Sequence, residues 1–399
     1  MVTFCSATTH TYNIVDNQRK IMGIFKKLFG GNQKRNPKQE EKKTNEYDLK
    51  WINAEQNPWG LKILDLRPIS QTMLSTSKDP KMATNAISYS QEDGTTFKEY
   101  LPKSERITSS NLTIPIDGKL EEGVLFNPST MENKWAIYFM NDRLIFIRSW
   151  LREAFVVAKT VQENNQLKIT EITGEFTNDE SSEMTESILM FLLFSHSLNE
   201  TIPAPIPKEL SGNTDQAGMW AFSTYGNMAH LGYFGEDFNY KTNLKLRTHS
   251  LLHIAIARGE LDKINEQLDR NTNINCLAGD GLSTLQWAMT ADSNVLSLLL
   301  DKGANPNTKS TEGATPIMNA VQSDKIEHLN ILIKNQADLN AKDNRGFTAL
   351  HRASEMGRKE MVRILLENGA DKNVEAENHT PLSLAIAMKN EEIIKLLEK

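Results

Sequence analysis

Few residues in this chain combine the types and spacing that chemistry requires, and most of those that do are charged side chains at the ends of apolar runs. Asp65 and Arg67 close the run Leu61-Lys-Ile-Leu-Asp-Leu66, just before Pro68. A carboxylate and a guanidinium at the end of a strand can bind an anion or deliver a proton; the same Asp-Leu-Arg-Pro also makes a turn with a local ion pair. Arg148 and Arg152 flank Trp150. Arginine offers a planar fork of donors and stacks on aromatic faces, so these three read either as a clamp for phosphate or carboxylate or as the solvated face of a hairpin. Asp65, Arg67 and Arg148 together define a candidate ligand pocket. His249 and His253 have the i, i+4 spacing of two zinc ligands on a helix, but no third ligand is near them in the chain. His196, late in an apolar helix, reads as a charge placed at a helix C-terminus. No metal, cofactor or catalytic residue is expected, because G-x-S-x-G, G-x-x-x-x-G-K-[ST], H-E-x-x-H and paired C-x-x-C are all missing.

Two kinds of element position these residues. From residue 46 to residue 240 the pattern is one of strands: Leu61–Leu66, Ala86–Ser90, Leu112–Ile116 and Val124–Phe126, with turn residues between them. The clearest is a hairpin, Lys134–Met140 and Arg143–Arg148, around Asn141-Asp142, two residues that accept the positive φ of a tight turn. A second hairpin, Phe155–Val161 and Leu167–Ile172, turns at Glu163–Gln166, so four consecutive strands form an antiparallel meander. A helix capped by Asp179 or Ser181 runs to about Leu198, and its Met184, Ile188, Leu189, Phe191, Leu192 and Phe194 are placed to cover one sheet face. That makes an α+β domain. Ile202-Pro-Ala-Pro-Ile-Pro207 reads as a stiff connection. Beyond it, the aromatic stretches Met219–Gly226 and Leu231–Phe234 pack back on the domain or into its seam with the C-terminal part of the chain.

From residue 241 onward the chain repeats itself. Ser250-Leu-Leu-His-Ile-Ala255, Ser283-Thr-Leu-Gln-Trp-Ala288, Thr315-Pro-Ile-Met-Asn-Ala320, Thr348-Ala-Leu-His-Arg-Ala353 and Thr380-Pro-Leu-Ser-Leu-Ala385 are variants of one hexapeptide. The closing alanines, Ala255, Ala288, Ala320, Ala353 and Ala385, recur at a near-constant interval of about 33 residues. Ser or Thr caps a first helix, Pro316 and Pro381 sit where a missing N–H costs nothing, and the small alanine lets a second helix approach. Apolar second helices follow at Val295–Leu300, Ile331–Ile333, Val362–Leu366 and Ile393–Leu397. Gly303 and Gly369 end such helices, while Gln336 stands where glycine is expected and requires strain or a different cap. This T-P-L-H-x-A core at a period of about 33 resembles the ankyrin repeat. The resemblance implies an all-α solenoid over residues 241–399, about five repeats with the last one truncated and polar like a cap. Only part of the histidine bridging between neighbouring turns is retained, since the fourth hexapeptide position is His253, Gln286, Met318, His351 and Ser383.

The resemblance also implies a protein partner docked on the concave side, formed by turn tips and first helices. On this chain those positions include Asp280, Leu282 and Trp287, then Glu312 and Asn319, then Arg345, Phe347 and Arg352, and finally His379. Trp287, Phe347 and the arginines are residue types that carry binding energy. The expected function is a monomeric, non-enzymatic adaptor or inhibitor; the alternative makes residues 46–240 an enzyme or small-ligand sensor with Asp65, Arg67 and Arg148 in its pocket.

Composition bounds the rest. Of the chain's 399 residues, 39% are hydrophobic and 24% charged. No apolar run approaches the length of about 18 residues that spans a bilayer. Cys5 and Cys276 are the only cysteines, so a disulfide framework is excluded and a reducing, cytoplasmic setting is expected. The net charge of −6 hides an asymmetry. Residues 1–45 hold nine Lys/Arg against three Asp/Glu, which leaves 36 against 48 in the remainder and argues against nucleic acid as the partner. Within that basic segment, Met22 is an alternative start. Ile24, Phe25, Leu28 and Phe29 share one helix face, either a membrane-surface anchor or a short helix docked on its own domain, and Gln33–Asn45 is a polar linker.

Overall fold

Trp135–Met140 (β6) and Arg143–Arg148 (β7) are the centre from which the N-terminal part is built. Every residue of β6 is buried. Asn141 (φ 50) and Asp142 (φ 53) both lie in the left-handed region, giving the mirror-image turn whose twist matches its strands. This computed structural model describes residues 46–77 and 79–399. The basic segment, Met22, the apolar Ile24, Phe25, Leu28 and Phe29, and the polar linker lie outside the described residues. Backbone contacts divide the chain into two units, the first ending at Leu246 and the second running from Arg247 to Lys399.

The first unit is sheet-rich with a few helices. In chain order its strands are β1 (Trp51–Ile52), β2 (Ile63–Asp65), β3 (Ile107–Ser109), β4 (Thr113–Pro115), β5 (Gly123–Phe126), β6, β7, β8 (Glu153–Glu163), β9 (Gln166–Gly174), β10 (Pro203–Ile206) and β11 (Leu231–Phe234). Strands β5 to β9 follow one another as an antiparallel meander, and β3 and β4 both pair β9. The second turn lies at Asn164 and Asn165, both with positive φ. The helices are α1 (Arg67–Ser70), α2 (Pro80–Ile87), α3 (Ser182–Leu192) and α4 (Thr214–Tyr225). Ser181 rather than Asp179 caps α3, its Oγ accepting from the Met184 N–H at 2.9 Å. Met184, Ile188, Leu189, Phe191, Leu192 and Phe194 share one core with Trp135, Ile137, Phe139 and Phe146.

Two segments differ from their sequence reading. Ala86–Ser90, expected as a strand, is instead the end of α2 and the turn after it. Asp79 caps that helix through the Lys81 N–H, and Pro80 sits at its first position, a start signal stronger than the short alternation downstream. Ile202–Pro207, expected as a connection, contains β10, which pairs in parallel with β11 at the edge of a second sheet ordered β1-β2-β11-β10. Two prolines are tolerated there because an edge strand needs no donors on its outer side.

The second unit is helical. Its helix pairs are Leu251–Arg258 (α5) with Leu261–Asp269 (α6), Thr284–Trp287 (α7) with Ser293–Asp301 (α8), Pro316–Gln322 (α9) with Ile326–Lys334 (α10), Ala349–Glu355 (α11) with Lys359–Glu367 (α12), and Pro381–Ala387 (α13) with Glu391–Glu398 (α14). Ala288, Ala320, Ala353 and Ala385 are fully buried with Leu285, Ile317, Leu350 and Ile393 in one continuous core. No pair has enough apolar area to stand alone, so neighbours supply the core.

After α10, exposed Gln336 lies in the left-handed region (φ 63), the conformation that Gly303 (φ 92) and Gly369 (φ 91) adopt at the corresponding positions. A side chain there costs about 1 kcal/mol. Gln336→Gly is therefore expected to raise the stability of the second unit by that amount, read as a higher urea midpoint at unchanged slope.

Candidate functional site

The hexapeptides open the first helices beside the turn tips of the second unit, and two of them tie their helix pair to the next. In the fourth, Thr348 Oγ1 and its backbone N–H both meet His351 Nδ1, at 2.9 and 3.2 Å. Because Nδ1 accepts from that N–H, Nε2 carries the proton and donates to the His379 carbonyl of the next unit at 3.2 Å. Gln286 does the same work without an imidazole. Its Oε1 accepts from the Ser283 N–H at 2.8 Å, and its Nε2 donates to the Ala314 carbonyl at 3.1 Å and Asn319 Oδ1 at 2.8 Å. Met318 has no polar atom for such a bridge beyond its weakly accepting sulfur, so the bridging is uneven along the unit. Successive tips are also joined through their backbones, Thr311 N–H to the Gly281 carbonyl and Asn344 N–H to the Glu312 carbonyl, both at 3.0 Å. Gly313, with positive φ, lies so close to the next tip that a Cβ there would stand 2.4 Å from Asn344 Oδ1.

The side chains expected to face a partner are held by these tips. Asp280 Oδ1 accepts from the Leu282 N–H at 3.0 Å and from Trp287 Nε1 at 3.3 Å. The Trp287 ring lies 5.4 Å from His249 and 5.6 Å from His253, so the two histidines pack on one indole. Arg345 forms a bidentate pair with exposed Glu377 (3.1 and 2.7 Å), holding the Glu377 carboxyl below its ordinary range, and stacks on Phe347 at 4.8 Å. Phe347 is 8% exposed, seated with Ala376 and Leu384. Arg352 reaches Asp343 at 3.0 Å and Gln322 at 3.1 Å. Glu312 and His379 are exposed, and Asn319 is partly buried.

The period recurs through all five hexapeptides, and Ser250, Ser283, Thr348 and Thr380 each accept from a backbone N–H of the helix they open, whereas Thr315 does not. A family model described as ankyrin repeats (3 copies) matches residues 252–343 and 335–399. Residues 252–399 are ankyrin repeats. A curated human protein, BCL-6 corepressor-like protein 1, is 43% identical to this chain over 93 residues, 23% of the chain and 5% of that protein. The chain thus spans a small fraction of the length of the curated relative it matches. No family model matches the region before the ankyrin repeats. Among the described residues no helix is long and apolar enough to cross a membrane.

In the first unit the three pocket candidates sit in two places. Asp65 binds Arg67 through both oxygens, at 2.9 and 2.6 Å, and that pairing lowers the Asp65 pKa and raises that of Arg67. The pair lies beside His230, whose Nδ1 is 3.1 Å from Ser70 Oγ. Arg148 instead donates to the carbonyls of Ser223 and Thr224 at the end of α4, at 2.5 and 3.0 Å, and lies over the Trp135 ring at 4.8 Å. A guanidinium suits the negative end of a helix. Among the described residues no hydrogen bond or ion pair joins Arg148 to Asp65 or Arg67. Arg152 pairs with Glu92 at 2.6 Å and stacks on Tyr89 and Phe97. A depression of about 580 Å³, lined by Gly118, Lys119, Asp142, Gln162 and their neighbours, involves none of the pocket candidates. His196 is not a helix-end charge. It is 5% exposed, hydrogen-bonded to Ser195 Oγ at 2.8 Å and edge-on to Phe126, and burial lowers its pKa to about 3.

Sequence reasoning passes over Ser75 and Lys134. Lys134 opens the central hairpin as a 4% exposed lysine whose ammonium is 2.5 Å from Ser75 Oγ. No local pattern marks that pairing, because the partners are 59 residues apart.

Proposed function

We propose that the ankyrin repeats hold a protein partner, with the turn tips and first helices as the contact face and the helix pairs stacked as a solenoid whose concave side is that face. On this reading the ankyrin repeats, which carry no chemistry of their own, serve as a cytoplasmic adaptor or inhibitor module. Ankyrin repeats generally mediate protein–protein interactions. The observation that carries the proposal here is the preorganised tip: Arg345 clamped by Glu377 over Phe347, Arg352 held by Asp343 and Gln322, and Trp287 held by Asp280. Such side chains lose little rotamer freedom on docking, and Trp and Arg dominate interface energies. Exposed ion pairs add little to stability, so this arrangement does more for recognition than for folding.

The test compares full-length wild type with Trp287→Ala and Arg345→Ala as bait in native lysate, followed by titration of the retained protein. Each substitution is expected to weaken binding by about 10- to 30-fold, or about 1.4–2 kcal/mol. The thermal midpoint stays nearly unchanged in Arg345→Ala and is lowered in Trp287→Ala, whose indole packs on the repeat core, so binding is compared well below both midpoints. A partner bound equally well by both variants sinks the assignment of this face.

A further inference from the structure

We propose that Ser75 and Lys134 form a nucleophile–base pair for acyl transfer in the sheet-rich unit, taking small esters or amides as substrates. The geometry has all three parts that an activated hydroxyl needs: a nucleophile, a base within hydrogen-bond reach, and a group that orients the base. Lys134 Nζ is 2.5 Å from Ser75 Oγ and 3.3 Å from the Met131 carbonyl. That carbonyl is itself held by Trp150 Nε1 at 2.9 Å. The Ser75 backbone is fixed from the other side, its N–H donating to Glu132 Oε1 at 2.9 Å. The rings of Trp150 and Phe222 flank the amine at 4.7 and 5.1 Å.

Among the described residues no carboxylate lies within ion-pair distance of Lys134, and a structural role does not require a lysine here. A buried ammonium without a counter-charge is costly, and an apolar side chain fills the same space at lower cost. The charged groups facing the amine are Arg148, which disfavours its protonation, and Glu132, which favours it. Burial outweighs both and lowers the amine to about 7, so near neutral pH a large fraction is the free base. Ser75 lies in the irregular stretch between α1 and α2, next to Leu74, which is 58% exposed. Ser75 and Lys134 are each 4% exposed, so a substrate reaches Ser75 only when residues 71–77 move outward.

The reaction is hydrolysis in two halves. Ser75 Oγ bonds to the acyl carbon as its proton passes to Lys134 Nζ. The tetrahedral intermediate then expels the alcohol or amine, which leaves with that proton. Water, deprotonated by the same amine, next attacks the Ser75 ester, releases the carboxylic acid and restores the hydroxyl.

The test treats the full-length chain with a fluorophosphonate probe and locates the adduct by mass spectrometry. Labelling of Ser75 is expected, with a rate that rises with pH through a midpoint near 7. Ser75→Ala abolishes the label, and Lys134→Met, which removes a buried charge and keeps the fold by circular dichroism, slows it at least about 100-fold. Wild-type protein left unlabelled at Ser75 between about pH 6 and 9 overturns the proposal, as does a folded Lys134→Met chain that labels at the wild-type rate.

Discussion

Trp135→Ala is expected to cost the sheet-rich unit about 4–5 kcal/mol, a large part of the roughly 5–15 kcal/mol that holds a typical domain together. Trp135 is fully buried at the start of β6. Its ring meets Phe155 and Phe176 edge-on at 5.8 and 5.3 Å and carries the Arg148 guanidinium on its face, while Nε1 donates to the Thr224 carbonyl at 2.7 Å. Truncation removes that aromatic cluster and one of the two side-chain donors on the Thr224 carbonyl at the end of α4. It leaves Thr224 bonded to Arg148, so the loss is chiefly a cavity rather than an orphaned carbonyl. Trp135→Phe keeps most of the ring and should cost about 1–2 kcal/mol. Urea unfolding followed by circular dichroism measures both. A midpoint unmoved by the alanine variant means that the indole is not a core residue.

Mild acid should destabilise each unit, most strongly through one buried histidine, with His230 adding in the first unit and His249 and His351 in the second. Burial lowers His196 in the first unit and His253 in the ankyrin repeats to about 3, against an ordinary 6.5; His249 adds to the shift at His253. The depressed value means that the folded chain resists protonation. As pH falls below about 6.5, only the unfolded chain gains the proton, so the stability present above 6.5 drains away toward pH 3. At about 1.4 kcal/mol per unit of pH, each histidine costs roughly 2 kcal/mol at pH 5. His196→Leu should flatten the pH dependence of the first unit. His253→Gln should do so in the repeats, because Gln286 shows that an amide can occupy the same position in a hexapeptide. Stability measured between about pH 7 and 5 decides the matter, and slopes unchanged in both variants refute the assignment.

Legibility from the residues alone is short-range. Asn141-Asp142 encodes its own turn, because these side chains tolerate the left-handed region that closes the central hairpin. The recurrence from Ser250 to Ala385 marks the ankyrin repeats, since each cap and each small alanine answers to neighbours within one period. Even the cost at Gln336 shows as a missing glycine. Pro80 signals its helix in the sequence, but a weak alternation downstream competes with it, and β10 is masked by prolines that only an edge position excuses.

Other features depend on residues that are distant in the chain. Arg148 has its partners 75 and 76 residues away, Lys134 meets Ser75 across 59, and His196 loses its charge because sheet and helix close over it. Period, cap and turn chemistry act within a few residues and leave a trace in the sequence. Burial and the meeting of distant side chains arise only when the sheet and its helices pack, and those alone decide whether a lysine is a solvated charge or a base.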